Sequence, residues 1–220
     1  MSEAYGATPA VLDEAGLPAA VAALAAADAD MARAVADVGL PPMRPWEPGF
    51  PTLLRIILGH QVSLASARAI FARLQAAAGP LTPERLLALD DEALRAAGLS
   101  RAKTIYGRAL AEALVAGRLD LNALPHLPDD EAHAQLVAVH GIGAWTADIY
   151  LLLALRRPDI WPAGDLALAV GAQAVKGLPS RPNLKTMAAL AEPWRPWRGA
   201  AARLLWHYYR QRIRPDDNYA

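Results

Sequence analysis

Residues 136–148 read LVAVHGIGAWTAD, and this stretch predicts two helices joined by a very short turn. Apolar residues with helical spacing precede Gly141, and a second helix begins after Gly143. Glycine permits a positive φ and the close approach of another backbone, so the pair of glycines suits a tight turn. The amides that open the second helix lie at the positive end of its dipole, where they suit a phosphate oxygen.

The hairpin therefore predicts a DNA contact. We expect the amides of Gly141, Ile142, Gly143 and Ala144 to face a phosphate, with the Thr146 hydroxyl adding a hydrogen bond. A glycine-containing turn between helices is also common for purely conformational reasons. From the turn alone, an ordinary helical hairpin is the more common interpretation.

The rest of the chain also predicts helices. Hydrophobic residues make up 54% of it and aromatic residues only 6%, and the apolar content is dominated by Ala and Leu, which favours helix over sheet. Ser63, Thr82, Ser100 and Asp165 stand where helix N-caps are expected. We predict an all-α protein with about ten helices, one of which covers residues 17–38 without a break.

Composition narrows the class of protein. The chain has no cysteine, which excludes disulfides, a cysteine nucleophile and a cysteine-ligated iron–sulfur cluster. The first 30 residues hold five acids and no Lys or Arg, unlike a signal peptide, and no apolar stretch is long enough for a membrane span. We expect a soluble, cytoplasmic protein.

Charge is unevenly distributed along the chain although the net charge is +0. Between Lys176 and Arg214 the sequence has nine Lys or Arg residues and a single acid, Glu192. Such a basic segment favours binding to a phosphate backbone, whereas a solvated helix face is the simpler interpretation.

A second motif, Trp161-Pro162-Ala163-Gly164-Asp165, follows the hairpin. Asp165 is placed to cap the next helix, and hydrogen bonds from that helix would favour its ionised form. Capping and catalysis are compatible roles for one carboxylate.

Together the two motifs resemble those of the helix-hairpin-helix DNA glycosylase superfamily, and the resemblance is closest to the bacterial 3-methyladenine DNA glycosylase II family. It extends from about Ile56 to Pro215 and includes three further segments. These are Ile57–Ser63 (ILGHQVS), Gly98–Lys103 (GLSRAK), and Trp194–Arg198 (WRPWR) with the later Leu205-Trp206. The resemblance implies two helical subdomains that flank a DNA-binding cleft.

The resemblance also implies a chemistry. Asp165 would be the catalytic carboxylate, stabilising the positive charge that develops on the deoxyribose and orienting water for attack. An alkylated purine such as 3-methyladenine or 7-methylguanine is already cationic and would leave without strong acid catalysis. Bifunctional relatives carry a Schiff-base Lys where this chain has Trp145, so we expect base removal without lyase activity.

The family match also assigns a base pocket to four residues, namely Trp145, Trp206, Ile149 and Leu166. Electron-rich indole faces would favour a cationic base, whereas tryptophans on helices are otherwise core residues more often than not. Relatives have aromatic residues at the positions of Ile149 and Leu166, and this difference leaves the lesion preference open. Gln61 corresponds to the residue that enters the gap left by the flipped base.

The remaining expectations rest on the resemblance as well. Backbone carbonyls of Val137, Val139 and Ile142 would hold a structural Na⁺ or K⁺ at the hairpin, and catalysis would need no cofactor. The partner would be double-stranded DNA with alkylated bases, bound by a monomer on the nucleoid of a bacterial cytoplasm.

The predicted organisation is an N-terminal helical extension over 1–50 and a glycosylase core over 51–220, without the N-terminal β domain of larger relatives. Within the core the hairpin covers about 130–155 and the catalytic loop 161–165.

Two alternatives remain from the sequence. One is a glycosylase for deaminated or exocyclic-adduct bases on the same scaffold, and the other is a DNA-binding protein that keeps the hairpin without catalysis. Asp165 favours an enzyme over the second alternative.

Overall fold

The computed structural model describes residues 11–43 and 46–215, and these residues form helices and turns without any strand. The predicted all-α class is therefore confirmed. Twelve α-helices occur in the described ranges: α1 Leu17–Ala27, α2 Ala29–Val38, α3 Phe50–Leu58, α4 Leu64–Ala78, α5 Pro83–Ala88, α6 Asp91–Ala96, α7 Arg101–Val115, α8 Asp129–Val137, α9 Ala144–Ile149, α10 Leu166–Lys176, α11 Leu184–Ala191 and α12 Arg198–Tyr208.

Four short segments supplement these helices. Turns of 3₁₀ helix cover Leu124–His126 and Glu192–Trp194, and π-helical turns, Tyr150–Ala154 and Tyr209–Ile213, continue α9 and α12. No helix in the described part of the chain is long and apolar enough to cross a membrane.

The predicted N-caps are confirmed at all four positions. Ser63 accepts a hydrogen bond from the Ser66 amide, Thr82 from that of Arg85, Ser100 from that of Lys103 and Asp165 from that of Leu168. Each side chain satisfies one amide of the first helical turn, which has no carbonyl partner within its own helix. These helix starts could be predicted because a cap and its partner are only three residues apart.

The single helix predicted over 17–38 is wrong, since the chain breaks at Asp28 between α1 and α2. Asp28 has an extended backbone, with φ −141° and ψ 110°, and its carboxylate caps α2 through the Asp30 amide at 3.0 Å. The same carboxylate accepts hydrogen bonds from Lys176 at 3.0 Å and from the Trp194 indole at 2.8 Å. The break therefore satisfies distant partners that an Ala-rich helical pattern does not reveal.

The chain divides into two compact units. Among the described residues, the first consists of 11–43 and 155–215, and the second of 46–154. The division of the chain into an N-terminal extension over 1–50 and a glycosylase core over 51–220 stays a prediction. In terms of contacts, α1 and α2 group with the C-terminal helices.

Close helix contacts build the core of each unit. In the first unit α10 lies directly on α12, and a Cβ added at Gly171 would come within 2.7 Å of the Leu205 carbonyl oxygen. In the second unit α3 is central, because Leu53, Ile57 and Leu58 are all fully buried. The first unit thereby fixes the start of α10, and the second fixes both the end of α3 and the hairpin.

Candidate active site

Asp165 lies at the start of α10 in the first unit, with its side chain half-buried. Its Oδ1 accepts a hydrogen bond from the Leu168 amide at 2.7 Å and another from the Trp206 indole Nε1–H at 2.9 Å. One donor is local and the other comes from α12. The carboxylate is thus fixed in place by two N–H groups, as a catalytic anion must be if it is to stabilise a developing positive charge.

The loop that leads to Asp165 is anchored by tryptophans. The Trp161 indole is buried, donates to the Met187 carbonyl at 3.1 Å and meets Trp194 edge to face, with ring centroids 5.4 Å apart. The Asp165 amide in turn donates to the Pro162 carbonyl at 2.9 Å. The motif WPAGD therefore acts as a rigid support for its terminal carboxylate.

Two of the predicted pocket residues flank this carboxylate in the first unit. Trp206 is half-buried and holds Asp165, a contact that sequence reasoning missed because it assigned the indole only to the pocket wall. Leu166 follows Asp165 directly and is 61% exposed.

The other two predicted pocket residues belong to the second unit. Trp145 is half-buried and Ile149 is buried, one turn apart on the same helix α9. A pocket composed of all four residues stays a prediction.

In the hairpin the two glycines have different roles. Gly141 has φ +91°, and a Cβ there would lie 2.3 Å from the Tyr106 ring, so both conformation and packing require glycine. Gly143 has φ −88° and ψ 171°, an extended conformation open to any residue, and a Cβ there would meet no atom of the described residues within 4 Å. The expected positive φ is thus correct for Gly141 and wrong for Gly143.

Residues 143 and 144 are exposed at the start of α9, whereas Ile142 is buried and its amide donates to the Val139 carbonyl at 3.0 Å. A DNA contact through the Ile142 amide would therefore have to share that donor. The exposed backbone of Gly143 and Ala144 is the part of the hairpin that a phosphate can approach.

Thr146 lies differently from the sequence-based expectation. It is only 1% exposed, and its hydroxyl lies 2.9 Å from Nε2 of His60. The His60 ring also meets Trp145 edge to face, with centroids 5.3 Å apart. A hydrogen bond from this hydroxyl to a phosphate stays a prediction, and it would need His60 to release the hydroxyl.

Gln61 lies in the turn after α3, is exposed and has φ +55°. A positive φ is uncommon for a residue other than glycine, and such conformations cluster at functional sites.

The end of α3 is held by Lys103, whose buried ammonium donates to the Leu58 carbonyl at 2.7 Å. Burial lowers the pKa of Lys103, and burial together with the Lys103 charge lowers the pKa of His60.

The carbonyls proposed for a cation, those of Val137, Val139 and Ile142, fit such an ion chemically. They are neutral oxygen donors, and the Val139 carbonyl uses one of its two lone pairs for the Ile142 amide. A monovalent ion at these carbonyls stays a prediction.

Most of the basic residues counted between 176 and 214 are engaged within the protein. Lys176 bonds Asp28, Arg195 and Arg198 bond Asp159, Arg212 bonds Asp37, and Arg203 is only 5% exposed. Counting charges along the sequence therefore overstated the positive surface available to DNA.

The comparisons with known proteins agree with this geometry. Residues 54–196 match the family described as HhH-GPD superfamily base excision DNA repair protein. The chain belongs to this superfamily.

Among curated relatives, DNA-3-methyladenine glycosylase 1 of Schizosaccharomyces pombe is 31% identical over 161 residues, which are 71% of each chain. The solved structure of an S. pombe 3-methyladenine DNA glycosylase with abasic DNA has a TM-score of 0.78 at 31% identity, covering 86% of this chain and 95% of that one. A DNA-3-methyladenine glycosidase from Bacillus halodurans has a TM-score of 0.74 at 29% identity, covering 89% of each chain.

Proposed function

We propose that the protein is a monofunctional DNA glycosylase that flips alkylated purines out of duplex DNA and hydrolyses their N-glycosidic bond. The observation that carries this proposal is the Asp165 carboxylate, fixed by the Leu168 amide and the Trp206 indole in a loop that follows a helical hairpin. The substrate class is supported by relatives that are named 3-methyladenine DNA glycosylases and that align with this chain over most of their length.

The chemistry requires one anion and one water. As the glycosidic bond lengthens, positive charge develops on the sugar, and the Asp165 carboxylate stabilises it. The same carboxylate orients the attacking water and accepts its proton. A 3-methyladenine or 7-methylguanine base leaves as a neutral molecule, so no second catalytic acid is needed. Because Trp145 stands where bifunctional relatives have lysine, no Schiff base forms and the DNA strand is not cut.

Selection of cationic bases rests on the indoles. Trp145 and Trp206 offer electron-rich faces, and attraction of a cation to such a face contributes roughly 0.5–2 kcal/mol. Ile149 and Leu166 add aliphatic surface, which supplies contact without that preference for charge. Selectivity for a cationic over a neutral purine is therefore expected to be moderate.

Binding to the duplex involves the hairpin and the α3 turn. The exposed amides of Gly143 and Ala144 suit a phosphate, and the exposed Gln61 suits insertion into the duplex, where its amide can hydrogen-bond the base left without a partner. A Na⁺ or K⁺ on the carbonyls of residues 137, 139 and 142 would add positive charge behind the phosphate. We further propose that the protein acts as a monomer on the nucleoid of a bacterial cytoplasm.

The first test is base release from a methylated duplex by the wild type and by Asp165→Asn. Asparagine caps a helix as well as aspartate does, so the variant should keep its fold. We expect the wild type to release 3-methyladenine or 7-methylguanine, identified by chromatography. Asp165→Asn should release neither while binding abasic DNA at least as tightly.

Equal release by both proteins would exclude Asp165 as the catalytic carboxylate.

The second candidate function, removal of deaminated or exocyclic-adduct bases, is favoured by the aliphatic Ile149 and Leu166. It is tested in the same assay with duplexes that contain hypoxanthine or ethenoadenine. If only those bases were released, the substrate class would be deaminated or exocyclic-adduct bases and not alkylated purines. Binding without release of any base would leave the non-catalytic alternative.

A further inference from the structure

The turn that carries Gln61 is tied to two other helices of the second unit. On one side Lys103 of α7 donates to the Leu58 carbonyl, the last residue of α3. On the other side His60 lies 2.9 Å from the Thr146 hydroxyl in the first turn of α9. The residue immediately before Gln61 therefore contacts α9, the second helix of the hairpin.

This contact is partly buried and joins elements that are far apart in sequence. Thr146 is 1% exposed and lies 86 positions after His60. A buried hydroxyl without a partner is costly, so His60 and Thr146 depend on one another. The imidazole and the Trp145 indole also meet edge to face, with ring centroids 5.3 Å apart. This contact links the turn to a predicted wall of the base pocket.

We propose that His60 is a positioning residue that couples the insertion of Gln61 into the duplex to the setting of α9 and Trp145. This inference rests on the proposed function. Gln61 has a strained φ of +55°, and a strained turn holds one conformation only when its neighbours fix it. His60 supplies that fixation toward α9, and Lys103 supplies it toward α7.

The pair acts through an uncharged imidazole. Burial and the Lys103 ammonium both oppose a second positive charge at this place, and both lower the pKa of His60. A neutral imidazole accepts a hydrogen bond from the Thr146 hydroxyl or donates one to it, depending on the tautomer. A glutamine side chain can also do either, so His60→Gln is the conservative substitution.

The test measures local unstacking rather than catalysis. A duplex carries a tetrahydrofuran abasic analogue with 2-aminopurine beside it, so insertion of a side chain raises the fluorescence without any bond cleavage. We expect His60→Ala to shift the insertion equilibrium about tenfold toward the stacked duplex, because the buried Thr146 hydroxyl loses its imidazole partner. Affinity for undamaged duplex should change by less than about twofold, since the phosphate contacts remain. His60→Gln should restore most of the fluorescence change, and Gln61→Ala marks the signal without insertion.

A second variant keeps the proposal testable if His60→Ala does not fold. Thr146→Val has the same shape as the native side chain and removes only the hydroxyl that meets His60. In the double variant the two effects should not add, because both remove the same contact.

The proposal is overturned if His60→Ala inserts Gln61 as the wild type does, or if the effects of His60→Ala and Thr146→Val add. It is also overturned if the affinities for damaged and undamaged duplex fall equally and in proportion to the loss of thermal stability. Base release by the wild type is measured separately. Failure of the coupling is therefore distinguishable from failure of the glycosylase function.

Discussion

The carboxylate of Asp165 meets donors of two kinds, one from its own helix and one from a distant one. The Leu168 amide is three residues away, so a sequence with Asp before an apolar helical run predicts it. The Trp206 indole is 41 residues away, and no local pattern reveals it. Trp206 thus combines a role in holding the carboxylate with its predicted role in the pocket.

Replacing Trp206 by phenylalanine separates these two roles. Trp206→Phe keeps an aromatic face but loses the N–H that holds Oδ1, and hydrogen bonds to charged groups contribute about 1.5–3 kcal/mol. We expect the single-turnover rate of base release to fall at least tenfold, or about 1.4 kcal/mol, while affinity for abasic DNA changes little.

The matched control is Trp197→Phe. The Trp197 indole nitrogen is buried and has no hydrogen-bond partner among the described residues, so its loss should leave the rate of base release nearly unchanged. Equal rates for Trp206→Phe and the wild type would show that the indole does not orient the carboxylate during catalysis.

Within the hairpin, the sequence motif Gly-x-Gly conceals two different requirements. Gly141 is dictated by the protein itself, through its positive φ and the Tyr106 ring. Gly143 faces open space, so no contact within the described part of the chain requires glycine there. Open space at an exposed helix start is what close approach of a DNA backbone needs.

Alanine at the two positions should therefore give opposite results. Gly141→Ala should lower the free energy of unfolding by at least about 2 kcal/mol, because of backbone strain and the clash with Tyr106. Gly143→Ala should stay within about 1 kcal/mol of the wild type, which is the modest cost of alanine at an N-cap.

In Gly143→Ala the affinity for an abasic duplex should fall clearly, although the stability changes little. A methyl group at this helix start would hold a phosphate away from the amides, and we expect the dissociation constant to rise about tenfold. Thermal denaturation and fluorescence anisotropy measure the two quantities. Unchanged DNA affinity in Gly143→Ala would count against the hairpin as a phosphate contact.

Features that depend on near neighbours in the chain can be predicted from the sequence, whereas contacts between distant residues cannot. The all-α class, four N-caps and the positions of most helices depend on neighbours three or four residues away, and those were predicted correctly. The break at Asp28, the Tyr106 ring under Gly141 and the His60–Thr146 pair depend on residues far apart in the chain. Such contacts exist only once the chain has folded, so a local pattern does not contain them.

Charge has to be judged on the folded molecule rather than along the chain. The C-terminal stretch is strongly basic in sequence, yet its Lys176, Arg195, Arg198 and Arg212 bond acids of the first unit. These pairs fasten α2 and the 155–159 loop to the C-terminal helices. The basic residues therefore support the fold around Asp165 more than they supply a surface for DNA.

Asp28 is the most connected of these acids, and its removal should destabilise the protein. Asp28→Ala loses the cap of α2, the acceptor for the Trp194 indole and one of the two acids that pair with Lys176, the other being Asp30. The free energy of unfolding should therefore fall by about 2–4 kcal/mol. Asp28→Asn keeps the cap and should lose about half as much. Asp37→Asn is the control, because its ion pair with Arg212 is exposed and worth no more than about 1 kcal/mol.

The pH dependence of these variants tests whether the charge of Asp28 is responsible. Burial opposes that charge, but hydrogen bonds from Trp194 and Lys176 outweigh it and lower the pKa of Asp28 below its ordinary value of 3.8. A carboxyl group whose pKa is lowered in the folded state contributes its full stability above the unfolded value and loses it as pH falls through the folded one. The difference in melting temperature between the wild type and Asp28→Asn should therefore be constant from pH 7 to about pH 5 and shrink below about pH 4. A difference that persists unchanged at pH 2 would mean that the contacts of the neutral side chain, and not its charge, join α2 to the C-terminal helices.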